Sequence, residues 1–561
     1  MANAQDNRRS GGEILVDCLK THGARRAFAV PGESFLAVLD ALHDAPEIDL
    51  MICRQEGGAA IMAEAHGKMT GEPGICFVTR GPGATNASAG VHIAFQDSTP
   101  MILFIGQVGR GLVEREAFQE IDYRRMFGQM AKWVAQIDDA ERIPEHIGHA
   151  FHVATSGRPG PVVLALPEDM LRDRVAAPIS RRYAKVEAHP GPDDMAKLRE
   201  MLAASKRPFL MLGGSGWDDK AMADIRTFAE ANRLPVGVSF RCQGLFDNRH
   251  PNYAGDVGIG INPKLQARVK ESDLLIVAGP RLGEMTTGVY TLFDVPVPKQ
   301  PMVHIHAGAE ELGRVYSPTL AINAGPRAFA AAAKAMAPVA NPPWADTAKA
   351  AHAEYLAWIE PTRSPGAVQM AEIMKWLRET LPEDAIVTNG AGNYTVWVHR
   401  FFQYKARNSQ LAPTSGSMGY GLPAAVAAKR EYPDRTVVCF AGDGCYQMTG
   451  QELGTAVQYG ANIVVVVVNN GIYGTIRMHQ EREYPGRVSG TDIVNPDFAA
   501  LARAYGAHGE TVERTEDFAP AFERSLKANK PAVIEVRIDP DGITPRTTLS
   551  EIRKTALAKP A

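Results

Sequence analysis

The chain lacks most of what would tie it to a membrane, a nucleic acid or an oxidising compartment. It has six cysteines in 561 residues (Cys18, Cys53, Cys76, Cys242, Cys439 and Cys445), scattered through apolar segments without one CxxC pair. That pattern argues against a disulfide framework and against a cysteine zinc site, and predicts reduced, mostly buried thiols in a cytoplasmic protein. No apolar run approaches bilayer length; the most strongly apolar one ends after Ile463 to Val468. The opening residues, MANAQDNRRSGGEILVDCLK, hold no apolar signal core, so export is not expected. Neither sign of charge dominates, with 60 Lys and Arg against 63 Asp and Glu, and a net charge of -3 argues against nucleic acid or an anionic membrane as partner. No short repeat is present. What remains, 45% hydrophobic and 22% charged residues, is a soluble globular composition on a chain too long for one core.

Three segments each alternate short apolar runs with helical patterns, the mark of parallel sheets covered by helices. The first carries strand candidates RRAFAVPG, IDLMICR, GICFVTRG, PMILFIG and GPVVLALP. The second has RPFLMLGG, LPVGVSF, DLLIVAGP and PMVHIH, and the third AIVTNG, RTVVCFAGDG, NIVVVVVNN and PAVIEVRID. Breaker-rich links, RRYAKVEAHPGPDD and APVANPPWAD, separate them, and a basic tail closes the chain. The expected organisation is three doubly wound α/β domains over 1–185, 190–345 and 360–545, with a tail over 546–561.

CFAGDGCYQMTGQELGTAVQYGANIVVVVVNN carries the chemistry. RTVVCF predicts a buried strand ending in Gly442-Asp443-Gly444, Cys445 to Tyr459 a helix stopped by Gly460, and NIVVVVV the next parallel strand. Parallel strands end at one sheet edge, so Asp443 and Asn469-Asn470 converge where open α/β sheets bind ligands. A carboxylate and an amide oxygen are hard ligands for Mg²⁺, and the flanking glycines let the backbone approach a bulky anion. The unit predicts a diphosphate held through a metal.

These residues resemble the thiamine-diphosphate enzymes, in which Gly-Asp-Gly to Asn-Asn is the cofactor motif. The likeness runs along essentially the whole chain, and most closely follows the acetolactate synthase (acetohydroxyacid synthase) branch. It implies pyrimidine-binding, central and diphosphate-binding domains in that order. It implies Mg²⁺ on Asp443, the Asn470 side chain and the Ile472 carbonyl. Thiamine diphosphate would lie against Gly392, Asn393 and Tyr394 of TNGAGNY and against Gly416, Gly442, Gly444, Cys445, Tyr473 and Gly474. Met418, in TSGSMGYG, matches the bulky residue wedged under the cofactor. In ICRQEGGAAIMAEAHG and RGPGATN, Glu56 matches the activating glutamate, with Pro82, Asn86 and Gln119 at family positions. The resemblance further implies a homodimer or homotetramer, with Glu56 of one copy meeting Asp443 of another.

The implied reaction is decarboxylation of a 2-oxo acid and ligation of the resulting carbanion to a second carbonyl compound. Phe118, Gln119 and Lys132, in FQEIDYRRMFGQMAKW, match the substrate pocket of that branch. Several residues depart from it. Thr475 and His479 replace a methionine and a tryptophan, Glu33 in VPGES replaces a small residue, and Arg80 replaces a serine or threonine where it would meet a substrate carboxylate. These leave open a non-ligating 2-oxo acid decarboxylase, a 2-hydroxyacyl-CoA or oxalyl-CoA lyase, and a non-catalytic regulatory paralogue. FAD in the central domain is likewise left open and is not predicted, because RLGEMTTG and VHIHAGAEELG differ from the family's motifs.

Overall fold

Residues 7–558 are described by a computed structural model. The chain divides into two compact units, one running up to Val186 and including Val426–Glu431, the other formed by the rest from Glu187 onward.

In the first unit a short antiparallel pair joins β1 (Arg9–Ser10) to β8 (Arg174–Val175). The main sheet is built from β2 (Arg26–Ala29), β3 (Asp49–Ile52), β4 (Gly74–Val78), β5 (Met101–Gln107), β6 (Trp133–Gln136) and β7 (Pro161–Pro167), all parallel, in the order β3-β2-β4-β5-β7-β6. Its inner strands are mostly apolar and buried because helices cover both faces. One face packs around a Phe35, Phe77 and Phe104 stack, the last two rings 4.8 Å apart.

The second unit holds two parallel sheets. One comprises β9 (Pro208–Leu212), β10 (Val236–Ser239), β11 (Tyr253–Val257), β12 (Leu274–Ala278), β13 (Met302–His306) and β14 (Leu320–Asn323), ordered β11-β10-β9-β12-β13-β14. The other comprises β15 (Ile386–Asn389), β16 (Gln410–Leu411), β17 (Val437–Gly442), β18 (Val464–Asn469), β19 (His508–Val512) and β20 (Ala532–Arg537), ordered β16-β15-β17-β18-β20-β19. Counted within each domain, the first and third sheets share the order 2-1-3-4-6-5, and the middle one reads 3-2-1-4-5-6. In an open parallel sheet the crevice for a ligand opens at the strand ends where the order reverses. For the first and third sheets that point lies between β2 and β4 and between β15 and β17. In the middle sheet it lies between β9 and β12, and there the backbones nearly touch. A Cβ on Gly214 would sit 2.1 Å from the Gly279 carbonyl oxygen, and the Trp217 indole donates to the Gly213 carbonyl at 2.8 Å.

One sequence expectation is corrected. The helix expected over Cys445 to Tyr459 is two helices, Asp443–Gln447 and Glu452–Gln458, with turns between them around Gly450. A Cβ on Gly450 would press on the Tyr446 ring and carbonyl at about 3 Å, so the break is packed tightly. The basic tail carries a helix. Thr548 and Glu551 form a capping box on the helix Leu549–Leu557. Leu549 and Ile552 of that helix pack with Ile543 on Ile472, and Arg553 pairs with the buried Glu481.

Candidate active site

At the reversal point of the third sheet, β15 and β17 deliver two glycine-flanked loops. Gly392 has a left-handed φ of 139°, which a side chain would resist, and it turns the chain into the helix Tyr394–Phe401. Tyr394 and Cys445 are buried behind these loops. The Tyr394 hydroxyl accepts from the Gly390 amide at 3.0 Å and lies 3.4 Å from the Cys445 sulfur, which accepts from the Gly419 amide at 3.2 Å. The two side chains pin three loops together, and burial pushes the Tyr394 hydroxyl pKa well up. Asn393 reaches outward instead, accepting from the Thr475 hydroxyl at 2.9 Å.

Asp443 is 3% exposed and follows β17 directly. Its Oδ1 accepts from the Gly444 amide at 2.9 Å, and its Oδ2 from the Gly471 amide at 2.9 Å and from Asn495 Nδ2 at 2.7 Å. Burial raises its pKa, and these three hydrogen bonds to the ionised form oppose the rise. The paired asparagines divide the work. Asn469 is turned inward, where Glu535 accepts from its Nδ2 at 2.7 Å and its Oδ1 accepts from Asn495 at 2.9 Å. Asn470 lies beyond the strand, its Oδ1 accepting from the Ile472 amide at 3.2 Å. Among the described residues the Ile472 carbonyl accepts no hydrogen bond, although it is 8% exposed. An orphaned carbonyl beside one carboxylate and one amide oxygen is the hard-oxygen donor set that a small divalent cation needs. No group of three His, Cys, Asp or Glu able to hold a metal exists among the described residues, so nitrogen or sulfur ligation of a transition metal is not offered. The Tyr473 ring lies over Gly444, where a Cβ would be 2.6 Å away, and Gly474 opens the helix Gly474–Glu483 against Asn470. His479 lies on that helix beside Arg482, at 3.3 Å. Met418 stands between Gly416 and Gly419, both with positive φ, and is 37% exposed. It is a presented side chain, not a core filler.

The first unit carries the remaining residues singled out by sequence. Glu56 is the first residue of the helix Glu56–Thr70, where the helix dipole favours a carboxylate. Its Oε2 accepts from Asn86 Nδ2 at 2.9 Å, and a Cβ on Gly83 would lie 3.5 Å from its Oε1. Pro82 starts the helix Pro82–Asp97, and the Tyr123 hydroxyl accepts from the Gly81 amide at 2.9 Å. Gly81 touches Gln119, whose own backbone is left-handed at a φ of 65°. Phe118 beside it is 72% exposed. Arg80 is buried and meets both Glu33, at 3.1 Å, and Glu168, at 3.4 Å.

Lys132 does not join this edge. It precedes β6, its amide bonds to the Pro161 carbonyl at the opposite edge of the sheet, and its Nζ donates to the Val153 and Ser156 carbonyls at a helix end. The substrate role expected of Lys132 is withdrawn: it caps a helix. Sequence reading also passed over Glu168, Tyr123, Asn495 and Glu535. Each lies far along the chain from the motif it supports, and no local spacing marks it.

These two clusters, each at the strand ends of a sheet of the same topology, are the kind of site a cofactor-dependent α/β enzyme carries. Three family profiles match the chain: the N-terminal thiamine pyrophosphate binding domain over residues 9–126, the central domain over 195–333 and the C-terminal thiamine pyrophosphate binding domain over 390–536. The protein belongs to the thiamine pyrophosphate enzyme family. It is 30% identical to acetolactate synthase isozyme 2 large subunit of Escherichia coli (strain K12), over 94% of this chain and 96% of that one. It is 32% identical to the acetolactate synthase large subunit of Parasynechococcus marenigrum, over 94% and 87%. A probable acetolactate synthase large subunit of Methanocaldococcus jannaschii is 30% identical over 94% and 92%. No helix among the described residues is long and apolar enough to cross a membrane.

Proposed function

We propose that the protein uses thiamine diphosphate and Mg²⁺ to decarboxylate a 2-oxo acid and join the fragment to a second carbonyl compound. The observation that carries this reading is the oxygen set of Asp443, Asn470 and the unbonded Ile472 carbonyl. Those three would hold Mg²⁺, and the loops at Gly392–Asn393 and Gly442–Gly444 would leave backbone room for the diphosphate. When bound, the cofactor supplies a thiazolium carbon acid able to take up the electrons released with carbon dioxide.

The chain's own residues orient and exchange protons around it. Glu56, held by Asn86, is placed to share a proton with the N1′ atom of a pyrimidine ring. Met418 offers a bulky apolar support for the bent cofactor, and the Gln119 amide, with no hydrogen bond among the described residues, is free to meet the substrate. Phe118, Glu33, Arg80, Thr475 and His479 are proposed to line the substrate's surroundings. Glu56 and Asp443 would meet between two copies of the chain, making the active form a homodimer or homotetramer, and the working compartment is proposed to be the cytoplasm.

The acetolactate synthase names of the relatives point to pyruvate as the first donor to try. Purified protein with pyruvate, Mg²⁺ and thiamine diphosphate is expected to give acetolactate. Acetaldehyde alone would show a decarboxylase that does not ligate, and no turnover of any 2-oxo acid would overturn the reading.

A further inference from the structure

Arg80 and Glu33 stand on the two strand ends that flank the reversal point of the first sheet. Glu33 follows β2, Arg80 follows β4, and Gly32 packs on Thr79, where a Cβ would lie 2.5 Å away. This is the crevice in which a sheet of this topology takes a ligand. Through Gly83 the same loop reaches Glu56, and through Gly81 it reaches Gln119.

A lone arginine here would receive a carboxylate through its paired N–H groups. This one is already engaged on every nitrogen. Its Nε donates to the Phe118 carbonyl at 3.1 Å, Nη1 to Glu168 at 3.4 Å and Nη2 to Glu33 at 3.1 Å. The guanidinium is buried, with its side chain 9% exposed, while the Glu33 side chain is 65% exposed. One positive charge is matched by two negative ones, and the exposed members of the group are Glu33 and Phe118. Ionised carboxylates only accept hydrogen bonds. A second carboxylate on a substrate would meet a net negative wall, whereas a hydroxyl, ammonium or guanidinium would meet a fixed acceptor.

We propose that Arg80 is a positioning residue and Glu33 a specificity residue, together selecting a substrate whose chain carries a hydrogen-bond-donating group. This rests on the reading of the protein as a 2-oxo acid decarboxylase and ligase, and deepens it by naming the substrate class.

The test offers the purified enzyme, with cofactor and Mg²⁺, 2-oxo acids of matched length whose chains end in methyl, hydroxymethyl, guanidinium or carboxylate, alone and beside pyruvate. The donor-ended compounds are expected to exceed 2-oxopentanoate in kcat/KM by about 10-fold or more, and 2-oxoglutarate to be the poorest. In Glu33→Gln the preference for the guanidinium compound should fall about 10-fold through KM, with little change in kcat. Arg80→Met should erase the selectivity, and Arg80→Lys should restore part of it. A wild type that prefers 2-oxoglutarate, with that preference lost in Arg80→Met, would overturn the proposal and make Arg80 a carboxylate receiver. Equal selectivity in wild type and Glu33→Gln would reduce the triad to a loop brace and also overturn it. Failure to turn over any member of the panel would instead fell the underlying functional reading, and this proposal with it.

Discussion

Asn495 Nδ2 sits between Asp443 Oδ2, at 2.7 Å, and Asn469 Oδ1, at 2.9 Å, and so ties the loop after β18 to the end of β17. Buried Glu535 on β20 fixes the far side of Asn469. The first asparagine of the pair is thus a brace, and the second is the one proposed to reach a cation. Asn495→Ala should therefore raise the Mg²⁺ concentration needed for half-maximal cofactor binding by about 10-fold to 100-fold, as losses of outer-shell partners do. Titrating Mg²⁺ against quenching of tryptophan fluorescence by thiamine diphosphate measures it; an unchanged midpoint would remove Asn495 from the site.

Glu56 has one clear partner, Asn86, and a place at a helix start. Replacing it with glutamine keeps the shape and an oxygen to accept from Asn86 but removes the acid that would share a proton with the ring nitrogen. Turnover of the best 2-oxo acid should drop by about 10²-fold to 10⁴-fold while cofactor affinity moves only a few-fold. Steady-state kinetics beside a binding titration separates the two, and near-normal turnover would end the activator role.

Burial lowers the pKa of two histidines in the second unit, His304 to about 4 and His399 to about 3. Both are held neutral in the fold, His399 with its ring donating to Asn389 at 3.0 Å. In the unfolded chain they take up protons as pH falls past about 6.5, so between there and the folded values the unfolded state binds more protons. Each histidine should take away about 1.4 kcal/mol of stability per pH unit as the medium is acidified below about 6.5, and Asp256, its carboxyl pushed up by burial to about 7, should offset one such contribution over the same window. Urea unfolding followed from pH 8 to pH 5 tests the slope, and His304→Gln should make it shallower.

The helix Leu549–Leu557 is docked by Arg553, which donates to Glu481 and holds that carboxyl down at about 2. The pair's contribution is present above the usual glutamate range and is lost only as pH falls through about 2, so the helix should remain docked at pH 5. Arg553→Ala would leave the buried Glu481 carboxylate with the Gly486 amide alone and cost about 1–3 kcal/mol. Hydrogen exchange should rise within residues 549–557 and around Ile472, which the helix covers. A rise confined to the tail would show that it does not brace the proposed metal loop.

The strands that periodicity reveals are those with helices over both faces. NIVVVVVNN and GPVVLALP are continuous apolar runs, and they became the inner strands β18 and β7. The strands of the three main sheets that went unread (β6, β11, β14, β16 and β19) are all sheet edges, several short or half-polar like HGETV and QL, because only one side of an edge strand is paired and covered. Lys132 was misplaced for a related reason. Its spacing after Gln119 matches a pattern, but spacing does not say which end of an edge strand a residue occupies.

Local chemistry pointed to Asp443 and the Asn469-Asn470 pair at one sheet edge, because a strand end and a glycine turn leave their signatures within a few neighbouring residues, whereas Glu56 and the choice of Asn470 rested on the family resemblance. Which groups surround them was settled by strand order instead. Adjacency of β2 with β4 brings Glu33 to Arg80, the order β4-β5-β7 brings Glu168 to it from one strand beyond, and adjacency of β18 with β20 brings Glu535 under Asn469. Such contacts join residues dozens of positions apart, where one chain shows no periodicity, and only the folded sheet brings their charges within reach.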